Sequence, residues 1–317
     1  MRNSNVFIAL TANEELWDKS KQIVLLGHWC IGSIDKKNKY KVLSYPIQLN
    51  DANYLEFDKY NRKLYRIYLN LFTELLNKEH KTQHSERYWD IVAGSFLYRY
   101  IGVMYERYLT IKNLLEQYEQ FDCVMSDISQ HKTTIADEFA FMKLTQDDDY
   151  NLELYSKILS FLNIDTQKIN KNKITTYSYK TNNYIKGAFE FIFNFIAYFK
   201  TSNKTIFIKN SYINIKSILK LALFSKYKVK VRFNEGYSHE LSYKYNLETR
   251  KNFQDLLPES NEFELFLKTV LPFDLPMAMV ENYEHLNKLA KKYYQKKSPE
   301  IILSSSSWYY DELFKLW

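Results

Sequence analysis

Short apolar runs bounded by polar or turn residues recur along the chain and predict buried strands. The clearest run is QIVLL (22–26), which ends at Gly27. A run in which lysine alternates with apolar residues, KYKVKVRFNEG (226–236), predicts a strand nearer the edge of a sheet. The other candidates are KYKVLSYPI (39–47), FDCVMS (121–126), KTIFIKNS (204–211) and the beginning of PEIILSSSSWYYDELFKLW (299–317).

Between these runs, apolar residues recur at three- and four-residue steps, which is the spacing of a helix with one buried face. The strongest stripe covers residues 85–118, where Ser85 is the expected N-cap and Glu86 suits the first turn. Gly94 and Gly102 lie inside it, and each costs about 1 kcal/mol against alanine, so we expect close packing against another backbone there. Further helices are predicted over 59–78, 147–164 and 184–200. Another follows the strand at 204–211 and ends at Phe224, and most of 237–297 is expected to be helical with interruptions at Pro258, Pro272 and Pro276.

Strands that alternate with helices predict an α/β fold with a mostly parallel sheet covered on both faces. Residues 165–183 are polar and rich in Asn, Lys and Thr, so they are expected to form a loop or linker. Ligands of such folds bind at the carboxyl ends of the strands. The residues that directly follow each strand are therefore the first place to look for chemistry.

The overall composition is that of an ordinary soluble globular protein, with 317 residues of which 46% are hydrophobic and 26% charged. A net charge of +7 suits anionic ligands or an anionic membrane surface. The lysines are scattered and form no dense basic stripe, so no nucleic-acid partner is expected. Cys30 and Cys123 are too few for a disulfide framework or a zinc set, and both are expected to be reduced thiols.

No segment has the pattern of a signal peptide or of a membrane-spanning helix. The most apolar stretch, GAFEFIFNFIAYF (187–199), is shorter than the roughly 20 apolar residues that a bilayer requires. It is expected to be a buried helix, with an interfacial membrane helix as the alternative. The closing FKLW ends an apolar helix without a polar tail, which predicts either a truncated chain or a face that something else covers.

The first candidate site is the run Gly27, His28, Trp29 and Cys30 after the first predicted strand. Glycine lets the backbone approach a ligand closely, and an imidazole, an indole and a thiol follow it at once. The run is not a GxGxxG motif, so the dinucleotide fingerprint is absent. His28 and Cys30 could share a metal, but no second pair at ligand spacing supports this. The ordinary alternative is a packed turn with a satisfied histidine.

A second candidate is the predicted helix start at His84, Ser85, Glu86 and Arg87, where backbone N–H groups and a guanidinium can hold an anion. The ordinary alternative is a capped helix with Arg87 in a salt bridge. His80 and His84 have the four-residue spacing of helical metal ligands, but the HExxH motif is absent, so no metal site is expected.

Three further strand ends carry polar groups. Lys209 begins the polar KNS segment ahead of a predicted helix, which is the geometry of a phosphate seat, although lysine is common throughout this chain. The serines at 304–307, Ser305 among them, suit either anion binding or simple helix capping. Asp127 and His131 follow another predicted strand and could form an acid–base pair. A serine nucleophile is not expected, because no GxSxG elbow is present.

Four segments together resemble a family of transferases encoded in the surface-carbohydrate and O-antigen biosynthesis regions of bacteria. They are ALTANEELW, LLGHWC, HSERYWDIVAGSFLYRYIGVMYERYLTIK and SSSSWYYDELFKLW. The resemblance runs from about residue 7 to the end and is densest at 9–30 and 80–115. Members of that family continue past the FKLW helix to a Gln-His-Gly-Gly motif, so the resemblance implies that this chain lacks a C-terminal part.

The resemblance implies a fold like one half of a two-domain, GT-B-like glycosyltransferase, in which two Rossmann-like halves face each other across a cleft. Residues 1–298 would be the acceptor-side Rossmann-like domain with large helical insertions. Residues 299–317 would be the start of a second domain. Glu106 and Arg107 also match the family pattern, and their position in mid-helix predicts an internal ion pair.

The implied function is transfer of a sugar from a nucleotide donor to a carbohydrate or lipid-linked acceptor in O-antigen or capsule assembly. Neither a metal nor a cofactor is required. The implied location is the cytoplasm, with peripheral contact at the inner membrane. His28 would be the catalytic base, and the substrate would be held by Gly27, Trp29, Cys30, His84, Glu86, Arg87, Lys209 and Ser305.

Two alternatives remain open beside this reading. One is a glycerophosphotransferase-like enzyme that acts on a polyol-phosphate polymer. The other is a non-catalytic fragment of such a transferase that binds a carbohydrate or a partner enzyme. The sequence does not identify the donor sugar, the acceptor or the oligomeric state.

Overall fold

The structure is a computed structural model, and it describes residues 5–31, 39–45, 51–128, 133–164, 166–169, 206–209, 211–226, 228–232, 241, 243–294, 299–305 and 307–317. The predicted helix at 184–200, His131 and most of the polar stretch 165–183 lie outside the described residues. Within the described part, no helix is both long enough and apolar enough to cross a membrane.

The first strands form a parallel sheet in the order β1-β2-β3, from β1 (Val6–Ala9), β2 (Gln22–Leu25) and β3 (Lys41–Val42). The prediction of β2 is confirmed, and the strand predicted within 39–47 is present as the two residues of β3. The sequence patterns did not predict β1, which is only four residues long. Successive side chains of β1 point to opposite faces of the sheet, so Ile8 joins the main core and Phe7 a smaller core on the other face.

Three helical segments follow, α1 (Asp51–His80), α2 (Glu86–Trp89) and α3 (Ser95–Gln117), with a π-turn at Asp90–Gly94 between the last two. Ser85 caps α2 as predicted, because its Oγ accepts a hydrogen bond from the backbone N–H of Tyr88 at 3.3 Å. The predicted apolar stripe is buried at Trp89, Val92, Phe96, Tyr100, Ile111 and Leu114.

The chain continues through β4 (Val124–Ser126), α4 (Glu138–Leu144), α5 (Asp148–Phe161) and β5 (Gln167–Ile169). The predicted strand and the predicted helix with an acidic start are confirmed at β4 and α5. β5 falls in the stretch that was expected to be a loop. It pairs with β4 in parallel.

Asp122, just before β4, joins this pair of strands to the first sheet. Its backbone N–H donates to the carbonyl of Val6 at 2.9 Å, and its carbonyl accepts from the backbone N–H of Ile8 at 2.8 Å. The bridge is parallel. Five short strands therefore lie side by side in the order β3-β2-β1-β4-β5, with every described pairing parallel.

A second parallel sheet has β6 at its centre, between β7 and β8. The predicted edge position of β7 is confirmed. The elements of this part are β6 (Ile206–Lys209), α6 (Ile215–Phe224), β7 (Val229–Arg232), α7 (Leu247–Gln254), α8 (Glu262–Asp274), α9 (Tyr283–Tyr294), β8 (Ile301–Ser304), α10 (Ser307–Tyr310) and α11 (Glu312–Leu316).

Pro272 lies inside α8, so the predicted interruption at this proline is wrong. The proline falls in the last turn of the helix, so only two helical residues follow the position where its missing N–H leaves the Lys268 carbonyl without a helical donor. The terminal carbonyls find a partner in the buried Arg250, whose Nη1 donates to Pro272, Phe273 and Leu275 at 3.1, 3.1 and 2.8 Å. Its other nitrogens hold Glu281.

The main core lies where α1, α3, α5 and α8 pack together against one face of the first sheet. Aromatic side chains fill much of it, because Trp89, Phe96 and Tyr100 are fully buried there. The predicted α/β class is confirmed as a protein with two small parallel sheets and many helices.

Candidate functional site

A tight turn follows β2, at the carboxyl end of that strand, and runs through His28–Ile31. A side chain at Gly27 would place its Cβ 2.0 Å from Cζ3 of the Trp29 indole. Glycine is therefore needed because the Trp29 ring folds back against the backbone of residue 27. Trp29 remains 36% exposed.

The Trp29 ring lies parallel to the ring of Tyr155 on α5, with the centroids 5.8 Å apart and 9° between the planes. The guanidinium of Arg107 on α3 lies 5.8 Å from the Trp29 ring and 5.9 Å from the Tyr155 ring. Such cation–π contacts contribute about 0.5–1 kcal/mol at partly exposed sites. The turn, α3 and α5 therefore form one aromatic and cationic surface.

Arg107 is oriented by two further contacts. It forms the predicted ion pair with Glu106, and its Nε donates to Oδ1 of Asn151 at 3.2 Å. The arginine side chain remains 20% exposed. The sequence predicted the ion pair but not the contact with Trp29, since residues 29 and 107 are distant in the chain.

His28 is exposed at the tip of this turn, and no described residue forms a hydrogen bond with its imidazole. The neighbouring loop after β1 is fixed more firmly. Thr11 donates its hydroxyl to Asp148 at the start of α5, and the backbone N–H of Ala12 donates to the same carboxylate at 3.1 Å. The exposed imidazole of His28 thus follows β2, and the loop after the neighbouring strand β1 is held to α5 by hydrogen bonds.

Cys30 faces the interior, and its Sγ donates to the carbonyl of Ala9 at 3.3 Å. Burial raises the pKa of the Cys30 thiol to about 12, so the thiol is neutral at physiological pH and a poor nucleophile. The substrate contact expected for this side chain would require the turn to open.

The second predicted group, His84 to Arg87, lies around the start of α2. The side chain of Asn77 organises this segment, since it accepts from the backbone N–H of His84 at 2.9 Å and donates to its carbonyl at 2.8 Å. The His84 ring stacks on Tyr88 at 3.9 Å, and burial lowers the His84 pKa. Glu86 and Arg87 are exposed.

The third predicted group lies at the second sheet. Lys209 is fully buried, and its Nζ lies 2.6 Å from a carboxylate oxygen of Asp311. A binding role for this lysine would require the ion pair to open. Ser305 is exposed, and its Oγ accepts from the backbone N–H of Tyr212 at 3.4 Å. The structure therefore distributes the predicted site residues over three places.

Sequence reasoning missed a cleft of about 510 Å³ between α1 and the π-turn. Its lining brings together two segments of the transferase resemblance, because Asp90, Ser95 and Tyr98 meet Trp308 there. Two arginines four residues apart on α1, Arg62 and Arg66, complete it. Two features of the sequence could have indicated this cleft: the four-residue spacing of the two arginines and the density of the resemblance at 80–115.

Buried ion pairs connect the same two segments beneath the cleft. Glu138, with no exposed surface, accepts from Oγ of Ser95 at 2.6 Å and from Nζ of Lys315 at 3.2 Å. Lys315 also pairs with Glu312 at 2.8 Å. Among the described residues, no group of three or more His, Cys, Asp or Glu side chains is placed to hold a metal ion.

Comparison with known proteins gives one result that covers nearly the whole chain. The model of the LIC12162 family transferase matches residues 6–317. A search of curated proteins and a search of solved structures found no match. The resemblance to a transferase family is thereby confirmed, and a transferase moves a chemical group from a donor to an acceptor. The chain belongs to the LIC12162 family of transferases.

Proposed function

We propose that this transferase moves a sugar from a nucleotide donor to a carbohydrate or lipid-linked acceptor in bacterial surface-polysaccharide assembly. The observation that carries the proposal is the turn after β2. His28, whose imidazole is exposed, precedes Trp29 in this turn at the carboxyl edge of a parallel sheet, and the Arg107 guanidinium lies 5.8 Å from the Trp29 ring. That edge is where α/β folds bind their ligands.

The strand order supports the same proposal. The order β3-β2-β1-β4-β5 is that of the first five strands of doubly wound nucleotide-binding sheets, in which the ligand lies where the order reverses, here between β1 and β4. The second parallel sheet suits a GT-B-like protein with two Rossmann-like halves. The division into residues 1–298 and 299–317 stays a prediction, and β8 (301–304) pairs with β6 (206–209).

In the proposed reaction, His28 accepts the proton of an acceptor hydroxyl. The hydroxyl oxygen then bonds to the anomeric carbon of the donor, and the bond between that carbon and the diphosphate oxygen breaks. The electron pair leaves with the diphosphate. Arg107 stabilises the negative charge that develops there, and such electrostatic stabilisation is usually the largest catalytic contribution. General base catalysis contributes about 10²- to 10⁴-fold.

The surrounding residues have supporting roles in this scheme. Gly27 allows Trp29 to take the position from which the exposed part of the indole contacts a sugar ring. The proposal includes no metal or cofactor step. The binding roles of Cys30, His84, Glu86, Arg87, Lys209 and Ser305 stay predictions, as does a cytoplasmic location with peripheral contact at the inner membrane.

The test is release of free nucleotide from a panel of UDP-, GDP-, CMP- and CDP-linked sugars, with and without simple saccharide acceptors. We expect one donor to be consumed, and His28→Ala to lower kcat by roughly 10²- to 10⁴-fold. His285→Ala on α9, which removes a histidine outside the turn, is the matched control and should retain the rate. Full activity of His28→Ala, or no turnover of any donor, would contradict the proposal.

A further inference from the structure

The cleft between α1 and the π-turn has the dimensions and the chemistry of a ligand site. Its volume of about 510 Å³ falls within the range of about 300–1,000 Å³ that is usual for small-molecule sites. Its lining combines arginines, tyrosines and one tryptophan. No residue assigned above to the proposed transfer reaction lines it.

Two arginines give the cleft a positive side. Arg62 and Arg66 are four residues apart on α1, so both side chains leave the same face of the helix. Arg66 is exposed, and no described carboxylate pairs with it. The Nε of Arg62 donates to Asp58 at 2.7 Å, but the Arg62 side chain is still 64% exposed. Two guanidinium groups at this spacing can hold an anion such as phosphate by paired, charge-assisted hydrogen bonds.

Hydrogen bonds between lining residues hold one side of the cleft in position. A Cβ at Gly94 would lie 2.3 Å from Oδ1 of Asp90 and 2.7 Å from the hydroxyl of Tyr65. Glycine at this position lets the Tyr65 hydroxyl donate to the Asp90 carboxylate across the π-turn. π-turns within helices occur frequently at functional sites. Below them, the hydroxyl of Ser95 is held by the buried carboxylate of Glu138.

The lining of the cleft is also aromatic. Trp308 packs against Phe314 with the ring centroids 5.0 Å apart, and Tyr98 donates its hydroxyl to Asp58 at 2.6 Å. The Arg62 guanidinium lies 5.7 Å from the Tyr98 ring. Rigid aromatic faces of this kind contact sugar rings and nucleobases.

From these observations we infer that the cleft binds a phosphate ester of a ring compound, with the phosphate on Arg62 and Arg66 and the ring against Tyr98 and Trp308. A sugar phosphate and a nucleotide share this chemistry. The site is separate from the turn after β2, because Ser95 and Arg107 are twelve residues apart on α3, about 18 Å along the helix axis. The inference therefore stands independently of the proposed glycosyl transfer.

Isothermal titration calorimetry on the full chain tests it with four probes: glucose 1-phosphate, UDP, inorganic phosphate and glucose. We expect at least one of the two ring phosphates to bind more tightly than inorganic phosphate, and glucose not to bind. Arg66→Gln should raise the Kd of that probe roughly ten- to hundredfold, since hydrogen bonds to charged groups are the strong ones. Lys63→Gln removes one positive charge from an exposed position of α1 outside the cleft and should leave the Kd unchanged.

The results separate the two sources of the ligand. Binding of glucose 1-phosphate alone that is weakened by Arg66→Gln would identify a sugar phosphate, and binding of UDP alone that is weakened by Arg66→Gln would identify a nucleotide. The dependence on Arg66 is required because the proposed reaction also places a nucleotide at the turn after β2. The inference fails if neither ring phosphate binds, if inorganic phosphate binds as tightly, or if an Arg62→Gln/Arg66→Gln double variant with native circular dichroism keeps the affinity. His28→Ala should bind as the unaltered chain does, so a failure of the proposed reaction leaves this result unaffected.

Discussion

The two sheets each place a cation against an aromatic ring at the carboxyl end of a strand, and they do so in opposite environments. Beside β2, the Arg107 guanidinium lies 5.8 Å from the Trp29 ring and is partly exposed. At the end of β6, Nζ of Lys209 lies 5.7 Å from the Phe314 ring and is fully buried with Asp311. The sequence alone shows a basic residue in both cases. Burial decides which of the two cations can meet a ligand and which one stabilises the interior.

The largest expected effect comes from breaking the buried pair. Lys209→Met removes the positive charge that lies 2.6 Å from the buried Asp311 carboxylate, and breaking a buried pair in this way typically costs about 3–5 kcal/mol of the free energy of unfolding. Urea denaturation followed by circular dichroism measures this. Lys216→Met removes an exposed lysine of α6 and serves as the control, with an expected change below about 0.5 kcal/mol. Equal effects of the two substitutions would show that the Lys209 pair is not a structural one.

The exposed region can be perturbed through its glycine. Gly27→Ala forces the Trp29 ring away from the backbone and so away from Tyr155 and Arg107, with an expected loss of about 1–3 kcal/mol. Gly102→Ala is the matched control, because a Cβ there would meet only the side-chain amide of Asn61 at 3.2 Å. Denaturation and tryptophan fluorescence report the two changes. A stable Gly27→Ala variant with unaltered fluorescence would contradict the packing of Trp29.

The buried region should also depend on pH. Burial raises the pKa of Glu312 to about 7, while Lys315 opposes this shift and Asp137 and Glu138 add to it. The folded state then keeps a proton that the unfolded state releases near its ordinary pKa of 4.5, so this group lowers stability as the pH rises from about 5 to 7. The slope is at most about 1.4 kcal/mol per pH unit.

Glu312→Gln removes this titration and should flatten the fall in stability over the same pH interval. Denaturation midpoints measured at pH 5, 6 and 7 for both proteins provide the comparison. Parallel pH profiles of the two proteins would show that Glu312 is already ionised in the folded chain at pH 5.

The smallest effect on stability is expected for Arg107→Gln, about 1 kcal/mol, because the Arg107 side chain is partly exposed and its ion pair is screened by solvent. The same substitution should reduce nucleotide release in the donor assay. Loss of as much stability as in Lys209→Met, with unchanged nucleotide release, would remove the distinction between the two cations.

Local signals in the sequence predicted the helices well. Ser85 and the acidic start of α5 satisfy backbone N–H groups within the next turn, so the residues that cause the structure are neighbours in the chain. The stripe at 85–118 is buried for the same reason, since its period of 3.6 residues is a local property. The interruption predicted at Pro272 is absent. Arg250, which holds the carbonyls at the end of α8, lies in a different helix, so no pattern near Pro272 could reveal it.

The candidate sites depend on contacts that no local pattern contains. The Gly27 to Cys30 turn could be singled out by its composition, but its partners Arg107 and Tyr155 come from two other helices. The cleft between α1 and the π-turn needs Trp308 from the far end of the chain. Lys209 lies in the local sequence pattern of a phosphate-binding site. Only the position of Asp311 shows that this lysine is paired inside the protein.

The buried pairs of residues 311–317 also set how short this protein can be made. A shortened chain that stops before Asp311 would remove the Asp311 carboxylate from the buried Lys209 and the Lys315 ammonium from the buried Glu138. Residues 311–317 are therefore part of the protein interior and should not be removed for expression or crystallisation. A version ending at residue 306 should accumulate as insoluble aggregate. A tag joined at the N-terminus leaves these pairs intact. Recovery of the shortened version as soluble, folded protein would refute the structural role of these pairs.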